Sequence, residues 1–205
     1  MIDDGFAVIR FEPRGCGRSD KDGKYDIGTT ISDMEAIRKY YKIDSWIVGG
    51  HSFGAIASLF YSINYPDKVN SLLFIAGIGV QNNREWLEEF YAKRDKYGEL
   101  TPDFLYPFSD EVNKATSLSF RKYIQTPSLY KDISKLRMPA LFLWAENDIR
   151  SIWPVHQIQM LIENSVLIAI PGAAHYIWLT HYDKMMLELR KYLGLFPVEK
   201  FSFRK

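Results

Sequence analysis

Residues 47–55 decide the fold, and they read Ile47-Val48-Gly49-Gly50-His51-Ser52-Phe53-Gly54-Ala55. This stretch places the pattern G-x-S-x-G between a short apolar run and a segment of small and apolar residues of helical length. In that context the pattern predicts a tight turn from a strand into a helix, a nucleophile elbow that exposes the serine hydroxyl. We expect glycine at positions 50 and 54 because side chains there would collide across the turn. Ser52 is therefore the candidate nucleophile.

Apolar runs alternate with segments of helical length on both sides of the elbow. Residues 29–33 look like the start of one helix, and a second helix is predicted from residue 54 to the break at Tyr65-Pro66. Such alternation is typical of a parallel sheet covered by helices on both faces. The sequence therefore predicts an α/β fold with a mostly parallel sheet. The predicted strands occupy residues 6–11, 45–49, 71–76, 140–144 and 166–170.

The alternation stops after residue 80. Residues 81–135 contain no convincing strand, but they hold aromatic-rich stretches with helical spacing, separated by Thr-Pro and Tyr-Pro pairs. We interpret this segment as an inserted helical cap, and residues 1–80 and 136–205 as the core that carries it. Because caps close over a site and set what fits there, we expect Trp86, Phe90 and Tyr91 to contact a mainly apolar substrate.

Composition excludes several classes of protein. The chain has 205 residues and is 47% hydrophobic, which suffices for one sizeable core but not for two full domains. The 26 basic and 25 acidic residues are not segregated, so nothing indicates binding to nucleic acid or to a membrane surface. The single cysteine, Cys16, forms no internal disulfide and excludes a cysteine-rich zinc site. With no secretory signal pattern and no apolar run of membrane length, we expect a cytoplasmic protein.

A serine nucleophile needs a base, and the base needs an orienting carboxylate. Asp148 follows the predicted strand at residues 140–144 and stands at the carboxyl edge of the sheet, where ligands of open α/β sheets bind. Glu146 is the alternative acid, and its structural interpretation is a hydrogen bond to the loop backbone. His175 lies in a loop of small residues after the last predicted strand, from which it can reach the elbow. The sequence therefore predicts Ser52, Asp148 and His175 as nucleophile, acid and base. We interpret the other histidines, His51, His156 and His181, as structural or surface residues, with His51 pointing away from the nucleophile.

The chain resembles the alpha/beta-hydrolase fold superfamily, and within it the branch of cap-bearing serine hydrolases that includes proline iminopeptidases. The elbow carries the resemblance to the superfamily. The segment Phe11-Glu12-Pro13-Arg14-Gly15-Cys16-Gly17-Arg18-Ser19 carries the resemblance to the branch, in which that loop shapes the floor of the site. The residue after the nucleophile, Phe53, is then expected to stabilise the oxyanion through its backbone N–H. Glutamates that hold the substrate amine in the branch have no assured counterparts here. Glu85, Glu88 and Glu89 are candidates, although acids on an amphipathic helix more often form a solvated face.

The family's fold begins with about three strands and a helix that have no counterpart before residue 6, so the resemblance describes an N-terminally truncated version. The last of those strands leads into a His-Gly loop that supplies a second oxyanion donor, and losing one such donor costs about 10²–10³ in rate. Three explanations stay open: the chain is a fragment or has a misassigned start, it pairs with a separate piece or a second copy, or its remaining strands pair directly. Unpaired strand edges also predict self-association.

The resemblance implies a serine hydrolase that acts by acyl transfer, as an esterase or a proline iminopeptidase-like aminopeptidase. Its substrate is expected to be a small molecule or short peptide, mainly apolar, with an ester, lactone or peptide amide bond. This chemistry needs no metal ion and no organic cofactor. The alternative is a catalytically impaired fragment or a non-catalytic binding protein on the same fold.

Overall fold

A four-stranded parallel sheet forms the centre of the protein, with the strand order β1-β2-β3-β4. The computed structural model describes residues 1–81, 84–107 and 109–195. The strands are β1 (Trp46–His51), β2 (Val69–Ile75), β3 (Ala140–Ala145) and β4 (Ser165–Ile170). The helices are α1 (Ile27–Tyr40), α2 (Phe53–Asn64), α3 (Arg84–Tyr97), α4 (Asp110–Tyr123), α5 (Leu129–Ser134), α6 (Trp153–Leu161) and α7 (Trp178–Tyr192). The predicted α/β class with a parallel sheet is confirmed.

Alternate side chains of the strands bury against two different helical layers. Phe142 of β3 belongs to the core cluster that includes α2 and α6, whereas its neighbours Leu141 and Leu143 belong to the cluster that includes α7. Successive residues of a strand point to opposite faces of the sheet, so both faces of β3 are covered. All six residues of β3 are buried, which explains why its sequence is a continuous apolar run.

The strand predicted at residues 6–11 does not form, and that prediction was wrong. In the described residues this segment has no strand partner, and its side chains include the exposed Val8 and Phe11. A run with strand-like composition becomes a strand only when a neighbour accepts and donates its backbone hydrogen bonds. In the part of the chain that is described, β1 is an edge strand, and self-association through that edge stays a prediction.

The first long helix begins earlier than its predicted start at residues 29–33. Asp26 is the residue that caps α1, because its side chain accepts hydrogen bonds from the backbone N–H and the hydroxyl of Thr29. The second predicted helix does end before Pro66, as α2 stops at Asn64.

Residues 84–134 form α3, α4 and α5, with no strand among the described residues of that segment. Phe120 of α4 and Leu129 and Ile133 of α5 are buried in the same core cluster as the sheet. The two later helices therefore share the hydrophobic core, and the division into a core and a cap at residues 81–135 stays a prediction. None of the helices in the described ranges is both long and apolar enough to cross a membrane.

Candidate active site

Ser52 lies on the turn between β1 and α2, where the sequence predicts the elbow. Its backbone has φ 56° and ψ −116°, a conformation that residues other than glycine rarely adopt. Such a residue costs about 1–3 kcal/mol and persists only where its surroundings hold it. Here the Ser52 N–H donates to the carbonyl of Ile75 at 2.9 Å, and the Ser52 carbonyl accepts from Ala55 N–H at 3.1 Å. The sheet and the helix together hold the serine in this strained position.

Only one of the two flanking glycines is required by a close approach. A Cβ at Gly50 would lie 2.3 Å from the carbonyl carbon of Gly54 and 2.4 Å from its oxygen. A Cβ at Gly54 would meet nothing within 4 Å. The expected collision is thus present at Gly50, and the same expectation for Gly54 was wrong because its missing side chain would project into open space.

Asp148 and His175 meet at the carboxyl ends of adjacent strands. Asp148 lies in the loop after β3, His175 lies in the loop after β4, and Nδ1 of His175 is 2.6 Å from Oδ2 of Asp148. The two side chains are almost fully buried, with exposed fractions of 0% for Asp148 and 2% for His175. A carboxylate only accepts, so Nδ1 of His175 donates this hydrogen bond and the lone pair of Nε2 is left as the basic site.

The surroundings of Asp148 favour its ionised form. Burial by itself would raise the pKa of this carboxyl group, but the hydrogen bond from His175 and the positive charge of Arg150 outweigh burial and hold the pKa below its ordinary value. An ionised Asp148 keeps the proton of His175 on Nδ1 and stabilises the imidazolium that forms when Nε2 accepts a proton.

Glu146, the alternative acid, has a different partner. Its Oε2 accepts the backbone N–H of Gly172 at 2.9 Å, which ties the loop after β3 to the loop after β4. The structure therefore brings Asp148 to His175. Glu146 instead makes a hydrogen bond to the loop backbone, which is the structural role expected for it from the sequence.

Ser52, Phe53 and His175 all line a single cavity of about 610 Å³. Among the described residues, no hydrogen bond joins the Ser52 hydroxyl to the His175 imidazole. Phe53 is the first residue of α2, so its backbone N–H is one of the free donors at a helix N-terminus and lies next to the serine. The three groups line one cavity in which a reacting carbonyl has room to lie.

Aromatic residues from the predicted cap segment line part of the cavity, but the three on α3 do not. Phe104, Tyr106 and Tyr176 line it, whereas Trp86, Phe90 and Tyr91 on α3 do not. Phe90 is separated from the cavity by Arg150. The Phe90 ring packs at 5.2 Å against the guanidinium of Arg150, which does line the cavity. Direct substrate contact by Trp86, Phe90 and Tyr91 stays a prediction.

The acids on α3 also lie outside this lining. Glu89 pairs with Lys93 at 2.6 Å and accepts a hydrogen bond from the hydroxyl of Ser151. Neither Glu85 nor Glu88 is among the lining residues. The geometry described here does not bring these three carboxylates to the serine.

Comparison with known proteins matches residues 2–110, just over half of the chain, to the model of the alpha/beta hydrolase fold family. The chain belongs to that family. Among curated relatives, it is 34% identical to the proline iminopeptidase of Arabidopsis thaliana over 89 residues, which are 42% of this chain and 23% of the relative. It is 31% identical to the proline iminopeptidase of Neisseria gonorrhoeae over 112 residues, which are 52% of this chain and 36% of the relative. These matches confirm the resemblance to the proline iminopeptidase branch, and they span well under half of either relative.

A solved structure supports the same fold. A carboxylesterase structure from Nitrososphaera gargenis superimposes with a TM-score of 0.69 at 19% identity, covering 90% of this chain and 78% of that one. At such low identity the likeness concerns the fold alone.

The loop that resembles this family's floor loop does line the cavity. Glu12, Arg14 and Gly17 are among the lining residues. Arg14 forms a bidentate ion pair with Asp33 of α1, with both distances 2.7 Å. This pair anchors the loop to α1, which is a structural role rather than a reactive one.

No pattern in the sequence indicates that His51 contacts His175. Nε2 of His51 donates to the backbone carbonyl of His175 at 2.9 Å, and the two rings lie 4.5 Å apart. Burial, followed by the charge of His175, lowers the pKa of His51 to about 4, so this imidazole is neutral near pH 7. The G-x-S-x-G pattern placed His51 beside the nucleophile but carried no signal for this contact, because its partner lies 124 residues away.

A second feature that the sequence did not indicate is a cluster of Glu99, Asp148 and His175, whose ligand-type atoms lie within 4.8 Å of one another. Such a set resembles a metal site. However, Nη1 of Arg150 lies 2.5 Å from Glu99 and 3.1 Å from Asp148, so a guanidinium already supplies the positive charge between the two carboxylates.

Proposed function

We propose that this chain acts as a serine hydrolase that transfers an acyl group to Ser52 and then to water. The observation that carries the proposal is the buried hydrogen bond from His175 Nδ1 to Asp148, made at the wall of the cavity that also exposes the strained Ser52. A base held in one tautomer in the same cavity as a serine on a nucleophile elbow is an arrangement that suits acyl transfer.

The steps follow from these positions. Ser52 Oγ attacks the carbonyl carbon of the substrate while Nε2 of His175 accepts the hydroxyl proton, and the resulting oxyanion receives a hydrogen bond from Phe53 N–H. The imidazolium, stabilised by Asp148, then donates its proton to the leaving alcohol or amine. Water repeats the sequence on the acyl-enzyme, with His175 again taking and returning the proton. No step uses a metal ion or an organic cofactor.

The cavity supports a small substrate. Its volume of about 610 Å³ lies within the range of about 300–1,000 Å³ that is common for small-molecule sites. Phe104, Tyr106 and Tyr176 offer aromatic faces for an acyl group. The proposed substrates are a small ester or lactone, or the amide of a short peptide, the last by analogy with the relatives named proline iminopeptidase.

The alternative is a chain that binds a ligand without turnover. One observation favours it: the described residues show no hydrogen bond between the Ser52 hydroxyl and the His175 imidazole. Under this alternative the cavity keeps its shape, but Ser52 is not activated.

A covalent probe separates the two functions. The folded chain is incubated with a fluorophosphonate, and the intact mass is compared with those of Ser52→Ala and Ser117→Ala. Ser117 also lines the cavity but has no role in the proposed steps, so it controls for indiscriminate serine labelling. The hydrolase proposal expects one adduct on the wild type and on Ser117→Ala, and none on Ser52→Ala. A folded wild type without an adduct supports the binding protein instead. Hydrolysis of an aryl ester and of proline p-nitroanilide then distinguishes esterase from aminopeptidase activity.

A further inference from the structure

Arg150 lies two residues after Asp148. Its side chain contacts Asp148, the proposed acid, and also α3 and the loop that follows α3. Its side chain is largely buried, with 13% exposed, and it lines the cavity. Neither the family's elbow nor its acid and base assign a role to this position, and the sequence alone did not single it out.

The two oxygens of Asp148 have separate partners. Oδ2 accepts from His175, while Oδ1 accepts the backbone N–H of Arg150 at 3.0 Å and its Nη1 at 3.1 Å. With both oxygens engaged, the carboxylate cannot rotate about its terminal bond without breaking a charge-assisted hydrogen bond. The orientation that His175 requires is therefore held from the opposite side by Arg150.

The same guanidinium is bound to α3 and to the loop that follows it. Nη1 of Arg150 donates to Glu99 at 2.5 Å, and the guanidinium lies over the ring of Phe90 at 5.2 Å. The next residue, Ser151, donates its hydroxyl hydrogen bond to Glu89. Contacts at 150 and 151 thus fasten α3 and its following loop to the loop that carries the proposed acid.

We propose that Arg150 is a positioning residue, which orients the carboxylate of Asp148 and joins it to α3 through Glu99. The inference rests on the proposed function of Asp148 and His175. It adds that one network of contacts both holds the segment around Glu99 in place and orients His175. The guanidinium also separates two carboxylates that would otherwise repel each other.

The charge arrangement makes a pH-dependent test selective. The titratable and charged groups that face His175 are Asp148 and Arg150 from the loop after β3, Glu99 from the loop after α3, His51 from β1, and its neighbour Tyr176. The acid limb of the labelling rate reports protonation of the base. Removing the positive charge of Arg150 favours that protonation and moves the acid limb to higher pH. Removing the negative charge of Glu99 moves it to lower pH.

The experiment measures the rate of fluorophosphonate labelling against pH for the wild type, Arg150→Met, Arg150→Lys and Glu99→Gln. Arg190→Met is the matched control, because Arg190 makes a comparable ion pair with Asp4 at 2.9 Å and is not a lining residue. Arg150→Met is expected to label about ten- to a hundredfold more slowly at neutral pH, the effect of losing one charge-assisted hydrogen bond. Arg150→Lys keeps the charge and recovers part of the rate. The two acid limbs shift in opposite directions, and Arg190→Met behaves as the wild type.

Labelling of Arg150→Met at the wild-type rate with an unmoved acid limb would overturn the inference. If Arg150→Met does not fold, the comparison of Arg150→Lys with Glu99→Gln decides, and equal acid limbs in these two variants count against it. If the wild type itself is not labelled, the proposed function has failed, and a readout without turnover is used. The low-field proton resonance of His175 Nδ1–H is then recorded in the Ser52→Ala chain with and without Arg150→Met. Loss of that resonance supports the positioning role, and its retention refutes it.

Discussion

Replacing Gly50 by alanine tests whether the elbow needs a glycine at this position. The added Cβ would lie 2.3 Å from one backbone atom of Gly54 and 2.8 Å from another. Ordinary carbon contacts begin near 3.5 Å, so the turn must open by about 1 Å. The neighbour is backbone in the first turn of α2 rather than a flexible side chain, so the cost falls at the upper end of the overpacking range, about 2–3 kcal/mol. For a chain of this size that lowers Tm by about 5–10 °C.

Gly54→Ala is the matched control. Its Cβ would meet nothing within 4 Å, and alanine in a helix is favoured over glycine, so we expect a gain of up to about 1 kcal/mol. Stability is measured by urea and thermal unfolding, and site geometry by the rate of fluorophosphonate labelling. Gly50→Ala is expected to lose both stability and labelling, while Gly54→Ala keeps both. Equal stability and equal labelling in the two variants would refute the steric reasoning.

Three further predictions concern Asp148, the buried ion pair between Glu35 and Arg38 of α1, and metal ions. Asp148→Asn leaves the shape of the site intact but removes the charge that holds the proton on Nδ1 of His175, so labelling should fall by about 10³–10⁴-fold, and a normal rate would contradict the assignment of the acid. The hydrogen bond from Arg38, helped by that from Tyr61, lowers the pKa of Glu35 from 4.5 to about 2. The stability that this shift provides is complete above pH 4.5 and is lost as the pH falls toward 2, so Glu35→Gln should flatten the acid limb of the unfolding free energy and cost about 2 kcal/mol at pH 7. An unchanged pH profile in urea unfolding would disprove that account. Incubation with EDTA should leave the labelling rate unchanged, and a loss restored by added metal would contradict the metal-free mechanism.

Much of the architecture is predictable from the sequence because it depends on neighbouring residues. The apolar runs that became β1 to β4 were all located, since buried parallel strands need continuous apolar residues whatever lies beside them. The strand expected at residues 6–11 does not form, because its formation depends on more than the neighbouring residues in the sequence. Its residues have strand-like composition, but a strand also needs a lateral partner, and no local pattern reports whether one is present.

The candidate site divides in the same way. Ser52 could be predicted from the sequence because the elbow is a local motif. Asp148 and His175 could be proposed as candidates because each follows a strand at the same edge of the sheet. The choice between Asp148 and Glu146 needed the tertiary structure, since both lie in one loop and only the packing of that loop shows which carboxylate meets His175.

The sequence by itself determined the parallel α/β fold, the elbow, and Ser52 and His175 as the proposed nucleophile and base, because periodicity and short motifs act over a few neighbouring positions. Only the tertiary structure decided that Gly50 rather than Gly54 makes the close contact at the turn. It alone revealed that Arg150 bridges Asp148 to Glu99, a residue 51 positions away in the chain. Such contacts depend on how separate elements pack in space, and the sequence around each partner contains no pattern that specifies the other.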